Sequence, residues 1–247
     1  MSEHTADDRF YFRQLLAGRD FARDDQIARQ MVNFVYLIGD RETGDAIAVD
    51  PAYGPGELVE VLAADGMRLA GVLVTHYHPD HVGGDLGGWS IAGIAELLAL
   101  SGVNAKLHVH ADEARGVKRV TGCSDSDLVP HASGDVVDVG AIPITLIHTP
   151  GHTPGSQCFF VDGKLVSGDT LFLDSCGRTD LPGGNPEALY ESLTQKLAFV
   201  PDDTVLYPGH MYSPEPNAAL GEVRRTNIVF RPRTRDQWMT MFGNAGF

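Results

Sequence analysis

The sequence predicts an α+β fold in which two β-sheets are covered by helices. Strand-like segments fall into two runs, one before residue 111 and one from residue 136 onward, with helical periodicity between and after them. A doubly wound parallel sheet would need a stricter alternation of strands and helices along the chain. The sequence contains no internal repeat and no low-complexity linker, so we expect a single domain over residues 1–247.

The first run of strands surrounds two predicted helices. Residues 55–64 carry apolar side chains on one helical face, and Gly66 follows them as a C-cap. Residues 89–100 form a second amphipathic pattern with Ser90 at its N-cap. The strands predicted in this run are 10–15, 31–38, 46–49, 71–74 and 107–110.

The second run of strands is interrupted by one predicted helix. Asn185, Pro186 and Glu187 supply an N-cap, a proline at the first helical position and an acid in the first turn. The residues after His210 are rich in arginine and irregular, apart from a helix predicted around 236–242. The strands predicted in this run are 136–139, 142–147, 157–161, 164–166 and 204–207.

The composition narrows the classes of partner. A formal net charge of -14 argues against a nucleic-acid backbone or an anionic membrane, although a metal cation can still hold an anionic substrate. No apolar run approaches the length of about 18 residues that a membrane span needs, and the first residues are unlike a secretory signal. Three widely spaced cysteines suit a reducing compartment. We expect a cytoplasmic protein, with the arginines of 224–235 forming either a solvated face or a contact in a homodimer.

One stretch concentrates the groups that ligate metals. His76, His78, Asp80 and His81 follow the predicted strand 71–74 and lie within six residues of one another. Imidazole nitrogen and carboxylate oxygen are ligands of zinc or ferrous iron in catalytic sites. The alternative is a histidine-rich surface turn, since four such groups are costly to bury without partners. The density of donors favours a metal site.

Further donors follow other predicted strands at their carboxyl ends. They are His152, Asp169 and His210, and each lies on a loop that contains glycine or proline. A rigid scaffold that presents functional loops at one edge is how many enzymes position their reactive groups. His148 lies at a strand end itself, so we interpret it as a supporting group rather than a ligand.

The donors suffice for two metals and leave open positions for water. The two sets are His76, His78 and His152, and Asp80, His81 and His210, with Asp169 able to bridge them. Such a centre lowers the pKa of bound water and produces a nucleophilic hydroxide at neutral pH. The donor chemistry leaves zinc, iron and manganese open. A protein that only stores metal is the poorest alternative, because open coordination positions are a feature of catalytic sites.

These motifs, in this order, resemble the metallo-β-lactamase superfamily. The resemblance covers roughly residues 31–230 and rests on Thr-His-x-His-x-Asp-His, Thr-Pro-Gly-His-Thr-Pro-Gly, Gly-Asp-Thr-Leu-Phe and Pro-Gly-His. It implies a four-layer αββα sandwich with the metals at one edge of the two sheets, and it implies that Asp50 braces the site. The ligands implied are His76, His78, His152 and Asp169 for the first metal, and Asp80, His81, Asp169 and His210 for the second.

Two families within the superfamily are similar to this chain. Residues 168–178, and the tyrosine two positions after His210, resemble the hydroxyacylglutathione hydrolases (glyoxalase II). In that family Arg and Tyr near these places help bind glutathione, which implies that Arg178 and Tyr212 line the thiol-carrier pocket. We expect no separate helical domain of the glyoxalase II type, because the tail looks more like that of the persulfide dioxygenases, which use one iron held by two His and one Asp. Residues 89–102 resemble an insertion relative to both families.

Three residues near the expected site also have structural interpretations. Arg178 is equally explained by a surface ion pair with Asp174 or Asp180. Tyr212 is equally explained as an aromatic side chain packed at the rim. Cys176 could supply a reactive thiol, but cysteine often serves as a small buried hydrophobic residue, and a metal site already supplies a nucleophile.

We expect a metal-dependent hydrolase that cleaves a thioester such as a hydroxyacyl-glutathione. A metal-bound hydroxide would attack the carbonyl, and Asp80 would orient it while ligating the second metal. The cofactors would be two divalent metal ions, with zinc as the expected identity. The alternative is a persulfide dioxygenase with a single Fe(II) held by His76 or His78, His152 and Asp169. The expected partner is a small thiol conjugate of glutathione or a similar carrier.

Overall fold

The computed structural model describes residues 9–100 and 102–243, and these residues form two compact units. Unit 1 contains the chain up to residue 109 together with 114–130 and 136–144, and unit 2 contains 110–113, 131–135 and the chain from residue 145. The expected single domain stays a prediction, because two compact units can belong to one domain. Within the described part of the chain, no helix combines the length and the apolar character needed to cross a membrane.

The first sheet is built from the strands of the first half of the chain. The strands of this half, six of which belong to the sheet, are β1 (Phe10–Leu16), β2 (Phe34–Asp40), β3 (Asp45–Val49), β4 (Arg68–Leu73), β5 (Gly84–Leu86), β6 (Trp89–Ile91), β7 (Lys106–His110) and β8 (Leu128–His131). The sheet has the order β1-β2-β3-β4-β7-β8, and β5 and β6 form a separate hairpin. β1, β2 and β3 are antiparallel neighbours, whereas β4 runs parallel to both β3 and β7. β2 is buried along its whole length, as expected of a strand covered on both faces.

The helices of unit 1 confirm one sequence prediction and add elements that the sequence did not reveal. They are α1 (Gln26–Met31), α2 (Pro55–Ala64), α3 (Pro79–Val82), α4 (Ile94–Ala99) and α5 (Ala114–Thr121). α2 has the predicted bounds, with proline in its first turn, and it buries Leu58 and Leu62 against the core of the unit. α1 extends to Met31, so β2 begins three residues later than the predicted strand 31–38.

The helix predicted over 89–100 is wrong in its first half. Gly87 and Gly88 both have positive φ, at 60° and 95°, and they join β5 to β6 as a two-residue turn. Two such residues favour a β-hairpin because their twist matches that of the strands. The helix starts only at Ile94, where the backbone N–H of the preceding glycine donates to the Glu96 carboxylate at 2.7 Å.

The second sheet contains the strands from residue 136 onward. These are β9 (Val136–Val139), β10 (Ile142–His148), β11 (Gln157–Val161), β12 (Lys164–Gly168), β13 (Val205–Pro208) and β14 (Ala218–Ala219), in the order β14-β13-β12-β11-β10-β9. β12 and β13 are parallel, with a bulge between Val166 and Gly168 that sets Gly168 opposite Pro208. The loops that carry Asp169 and His210 therefore start side by side.

The helices of unit 2 bury apolar side chains in one core cluster that includes Trp238. They are α6 (Pro186–Glu191), continued by π-helical and 3-10 turns to Phe199, α7 (Leu220–Thr226) and α8 (Arg235–Phe242). The predicted start of α6 is confirmed, since Asn185 Oδ1 accepts from the backbone N–H of Ala188 at 3.1 Å. α8 confirms the helix predicted around 236–242 and buries Trp238, whose ring lies 5.7 Å from that of Tyr190. The tail is more regular than predicted, because α7 was not recognised.

A buried carboxylate holds the beginning of the described chain to unit 1. Asp40 accepts from Arg9 Nε at 2.9 Å and from Arg9 Nη2 at 2.6 Å. The backbone N–H groups of Glu42 and Ala141 donate to the same carboxylate at 2.9 and 2.8 Å. The Arg9 hydrogen bond, supported by these backbone donors, lowers the pKa of Asp40 to about 2.

We expect Asp40→Asn to destabilise the fold by about 1–3 kcal/mol at neutral pH, because it weakens charged hydrogen bonds at a buried site. The pKa of Asp40 in the folded protein is below the ordinary value of 3.8. Its contribution is therefore complete above about pH 4 and is lost as the pH falls towards about 2. Urea unfolding at several pH values should show a steeper loss of stability in the wild type than in the variant. Equal acid sensitivity of the two proteins would contradict this role.

Candidate metal centre

The histidine-rich stretch of unit 1 is folded inward after β4. Asp80 and His81 lie on α3, and His76 and His78 lie on the extended segment before it. His76, Asp80 and His81 are buried and His78 is partly buried, so the surface-turn alternative is wrong. The His76 ring lies 4.1 Å from the His81 ring and 4.7 Å from the His78 ring, centroid to centroid. The structure thus brings the donors of this stretch together.

Asp50 fixes the orientation of His81. Its carboxylate accepts from the backbone N–H of Thr75 at 2.8 Å, from Thr75 Oγ1 at 2.5 Å and from His81 Nδ1 at 2.9 Å. Because a carboxylate only accepts, His81 Nδ1 carries the proton and Nε2 carries the lone pair. Ligand atoms of Asp50, His76 and His81 lie within 4.8 Å of one another. The structure places Asp50 where the sequence predicted a brace for the site.

Asn33 is a part of this cluster that the sequence analysis missed. Its Nδ2 donates to Asp80 Oδ2 at 3.0 Å and lies 3.3 Å from His81 Nε2. Its Oδ1 accepts from the Tyr53 hydroxyl at 3.1 Å. A buried amide inside the apolar run 31–38 was the available signal, since such a group requires partners. Asn33 orients the Asp80 carboxylate and points a donor at the lone pair of His81.

The three donors of unit 2 also meet. Asp169 Oδ2 lies 3.7 Å from His152 Nε2 and 3.3 Å from His210 Nε2, and both histidines are buried. His152 Nδ1 donates to the backbone carbonyl of Arg178 at 2.7 Å, so the lone pair of His152 is on Nε2, facing Asp169. Histidine ligands of metals commonly have this second hydrogen bond, which fixes tautomer and ring orientation. The donors of each unit therefore fit a divalent metal.

Two glycines make room for Asp169. A Cβ atom at Gly209 would lie 2.3 Å from Asp169 Oδ1, and one at Gly177 would lie 1.8 Å from the Asp169 carbonyl oxygen. Both distances are well inside van der Waals contact, so a larger residue would displace the carboxylate or its backbone. The Pro-Gly-His motif at 208–210 thus has a steric basis beside its histidine.

Glu113 holds the loop that carries His152, a contact that the sequence did not reveal. The Glu113 carboxylate is fully buried and accepts from Thr153 Oγ1 at 2.8 Å and from the backbone N–H of Gly155 at 2.7 Å. The backbone N–H of Thr153 in turn donates to Ser156 Oγ at 3.0 Å. These bonds on both sides of residue 154 restrict the loop immediately after His152.

Glu113→Ala should lower the free energy of unfolding by about 2–4 kcal/mol, because it leaves two buried donors without their acceptor. The loop after His152 should also become more sensitive to proteolysis. Glu222→Ala is the matched control, since Glu222 is an exposed carboxylate on α7, and we expect it to change stability by less than about 0.5 kcal/mol. Urea unfolding and limited proteolysis provide the two measurements. Equal stability of the two variants would contradict the proposed restraint.

The two residues predicted to bind substrate have different surroundings. Arg178 donates from Nε and Nη2 to Asp180 at 2.7 and 2.6 Å, so its surface ion-pair interpretation is confirmed with Asp180. Asp174 instead accepts from Ser213 Oγ. Tyr212 is 56% exposed, and its ring is stacked on the His210 ring at 4.7 Å. A role of Arg178 or Tyr212 in substrate binding stays a prediction.

Two other residues near the donors are structural. Cys176 is buried, and burial raises the pKa of its thiol to about 12, which favours the interpretation of Cys176 as a small buried hydrophobic residue. His148 Nε2 donates to the backbone carbonyl of Pro154 at 2.9 Å, as expected of a supporting group. Neither residue is needed to complete the donor sets described above.

The sequence matches the metallo-β-lactamase superfamily over residues 29–210, a range that contains every predicted metal ligand. The chain belongs to the metallo-β-lactamase superfamily. The predicted metallo-β-lactamase fold is thereby confirmed, and the two six-stranded sheets with their helices are its elements. The αββα layer order stays an implication of the family.

Individual relatives within the metallo-β-lactamase superfamily differ in their chemistry. A hydroxyacylglutathione hydrolase of Nitrosococcus oceani is 36% identical over 184 residues, which cover 73% of this chain and 62% of that protein. ETHE1 from Myxococcus xanthus superposes with a TM-score of 0.77 at 28% identity, over 96% of this chain and 92% of that one. TTHA1623 in a di-iron-bound form superposes with a TM-score of 0.63 at 29% identity, over 80% and 95%. These likenesses and the clustered donors support the use of a divalent metal.

Proposed function

We propose that this protein is a metal-dependent hydrolase that cleaves the thioester of a small thiol conjugate such as a hydroxyacyl-glutathione. The observation that carries the proposal is the complete set of donors for two metals, with four in unit 1 and three in unit 2, all buried or largely buried except the partly buried His78. A mononuclear site would need only part of this set. The 36% identity with a hydroxyacylglutathione hydrolase supports the same class of reaction, although this chain spans only 62% of that relative.

The donors would hold two divalent ions, with zinc as the expected metal. The proposed ligands are His76, His78, His152 and Asp169 for one ion, and Asp80, His81, Asp169 and His210 for the other. This assignment rests on the motif order of the superfamily and, for His81 and His152, on the lone pair at Nε2. When bound, a divalent ion lowers the pKa of a coordinated water and polarises a carbonyl oxygen.

The residues of the chain would position the reacting groups. Asp80, held by Asn33 through its Oδ2, would accept a hydrogen bond from the attacking water and orient it. The water oxygen would form the new bond to the thioester carbon, and the carbon–sulfur bond would break. The thiolate would leave and take up a proton, so the products are a carboxylate and a thiol. Tyr212 and Arg178 would bind the carrier, with a substrate carboxylate competing with Asp180 for the Arg178 guanidinium.

A persulfide dioxygenase with a single iron is the second candidate. The observation that favours it is the superposition on ETHE1 over 96% of this chain with a TM-score of 0.77. The iron would be held by His76 or His78 together with His152 and Asp169, a two-histidine, one-carboxylate set. Under this alternative, Asp80, His81 and His210 would be present without a metal of their own.

Metal analysis of protein purified without added metal, combined with two assays, distinguishes the candidates. One assay follows hydrolysis of a hydroxyacyl-glutathione, and the other follows oxygen uptake with glutathione persulfide. We expect about two equivalents of divalent metal per chain and thioester hydrolysis, as for a two-metal hydrolase. One equivalent of iron accompanied by oxygen uptake would overturn the hydrolase and establish the alternative.

A further inference from the structure

Unit 2 contains a second cluster of metal-type donors that shares no residue with the set above. His110 ends β7, Asp112 lies in the turn that follows, and His148 ends β10. One ligand atom from each of these residues lies within 4.8 Å of the other two. The proposed hydrolase mechanism uses none of the three.

The cluster combines two packed imidazoles with an accessible carboxylate. The rings of His110 and His148 are stacked with centroids 3.6 Å apart and planes inclined by 10°. Asp112 Oδ2 lies 3.6 Å from His110 Nδ1, and the Asp112 side chain is 62% exposed while that of His110 is 10% exposed. A cation could therefore reach the cluster from solvent on the Asp112 side.

The hydrogen bonds show which nitrogen of each imidazole carries the lone pair. His148 Nε2 donates to the Pro154 carbonyl at 2.9 Å, so His148 Nδ1 carries the lone pair. His110 Nδ1 accepts from the backbone N–H of Asp112 at 3.3 Å, so its lone pair is engaged in a long hydrogen bond that a bound metal would replace. A ring N–H bonded to a backbone carbonyl is the usual arrangement around a histidine that ligates a metal.

Burial favours the neutral form of both rings, although the Asp112 carboxylate acts in the opposite direction. Burial is the largest cause that lowers the pKa of both His110 and His148, and the neighbouring Lys196 lowers both further. Neutral imidazole is the form that binds metals. Lys196 opposes a bound cation, whereas the carboxylate of Asp112 favours it and contributes one of the three ligand atoms of the cluster.

We propose that His110, Asp112 and His148 bind a divalent transition-metal ion of the zinc, nickel or copper class, in addition to any metal held by the seven donors. Two imidazoles and one carboxylate suit these ions better than magnesium or calcium, which prefer oxygen ligands. The lone pairs of parallel rings do not converge on one point, so binding requires the stack to open by rotation of the rings. The ion would join the turn after β7 to the end of β10, next to the Pro154 carbonyl on the loop that carries His152.

Equilibrium dialysis against Zn²⁺, with the full chain already saturated at its tighter sites, tests the proposal. We expect the wild type to bind one further, weaker equivalent. Asp112→Asn should weaken this equivalent by at least about tenfold, the lower end of the effect seen when even an outer partner of a metal site is removed. Asp135→Asn is the matched control, because Asp135 is another exposed carboxylate beside a histidine, 3.4 Å from His131 Nδ1, and it should leave binding unchanged.

A second readout identifies the ligands without relying on activity. With Cu²⁺ as the probe, the electron paramagnetic resonance spectrum of the weaker site should show coupling to two imidazole nitrogens. His148→Gln should reduce this to coupling with one nitrogen. Thermal unfolding of the zinc-free variants checks that they fold, and zinc should raise the melting temperature of the wild type more than that of Asp112→Asn. Absence of the further equivalent, or equal affinity of wild type and Asp112→Asn, would overturn the proposal. Both comparisons are between variants, so they stand even if the seven donors prove not to form a hydrolase.

Discussion

Asp169→Ala is expected to remove bound metal and thioester hydrolysis together. The Asp169 carboxylate lies 3.7 Å from His152 Nε2 and 3.3 Å from His210 Nε2. A shared ligand supports two ions, so its loss should affect both rather than one. We expect kcat/KM to fall by roughly 10³-fold or more, the scale of several kcal/mol of lost transition-state stabilisation. Metal content per chain and steady-state hydrolysis are the measurements.

Asp174→Ala is the matched control for this prediction. Asp174 lies five positions later, is exposed, and accepts from Ser213 Oγ. Removal of its carboxylate should leave metal content and turnover near those of the wild type, because it contacts none of the donors in the described structure. Turnover of Asp169→Ala close to that of the wild type would exclude the bridging role of Asp169.

Asp50→Ala should produce the largest loss of stability among single substitutions near the site. The change removes the acceptor of the Thr75 backbone N–H, the Thr75 hydroxyl and His81 Nδ1, all of which are buried. Because these buried donors lose a charged acceptor, we expect the free energy of unfolding to fall by about 3–5 kcal/mol. This corresponds to a fall of roughly 10 °C in melting temperature for a chain of this size. Because the tautomer of His81 is no longer fixed, metal affinity should fall as well. Thermal unfolding and metal titration measure the two effects.

Asp50→Asn distinguishes the effect of the backbone conformation at residue 50 from the effect of losing the charged hydrogen-bond acceptor. Asp50 has a left-handed φ of 53°, a conformation that asparagine adopts readily and alanine does not. We therefore expect Asp50→Asn to unfold at a higher temperature than Asp50→Ala while still binding metal more weakly than the wild type. Full metal affinity in both variants would show that His81 does not depend on Asp50.

The sequence predicted the elements that local signals define. The prediction of helix α2 was correct because proline begins the helix and Gly66 follows it. Both signals act within a few residues. The metal donors were recognised because each group follows an apolar strand, where polar residues stand out. In the structure these donors do come together within each unit.

The structural features that the sequence did not predict have two causes. Local patterns competed with one another, and some hydrogen-bond partners are far apart in the sequence. In residues 89–100 the amphipathic pattern outweighed the Gly87-Gly88 turn, and the hairpin was missed. Asn33 is separated from Asp80 by 47 positions, and Glu113 is separated from Thr153 by 40. No periodicity or cap reports such a pairing, since it depends on how the chain folds back. Partners of this kind become visible only in three dimensions.

At the bulge in β12, the direction of the Asp169 side chain depends more on the number of residues in the strand than on which residue occupies position 167. Val166 pairs with Tyr207 and Gly168 with Pro208, so Ser167 is an additional residue between two consecutive pairs. Successive side chains of a strand point to opposite faces, and a shift by one residue exchanges them. Loss of one residue here would turn Asp169 away from His210, whereas a substitution of Ser167 would mainly remove its hydrogen bond to the Leu171 carbonyl. Deletions and insertions in β12 should therefore be far rarer among functional descendants of this protein than substitutions.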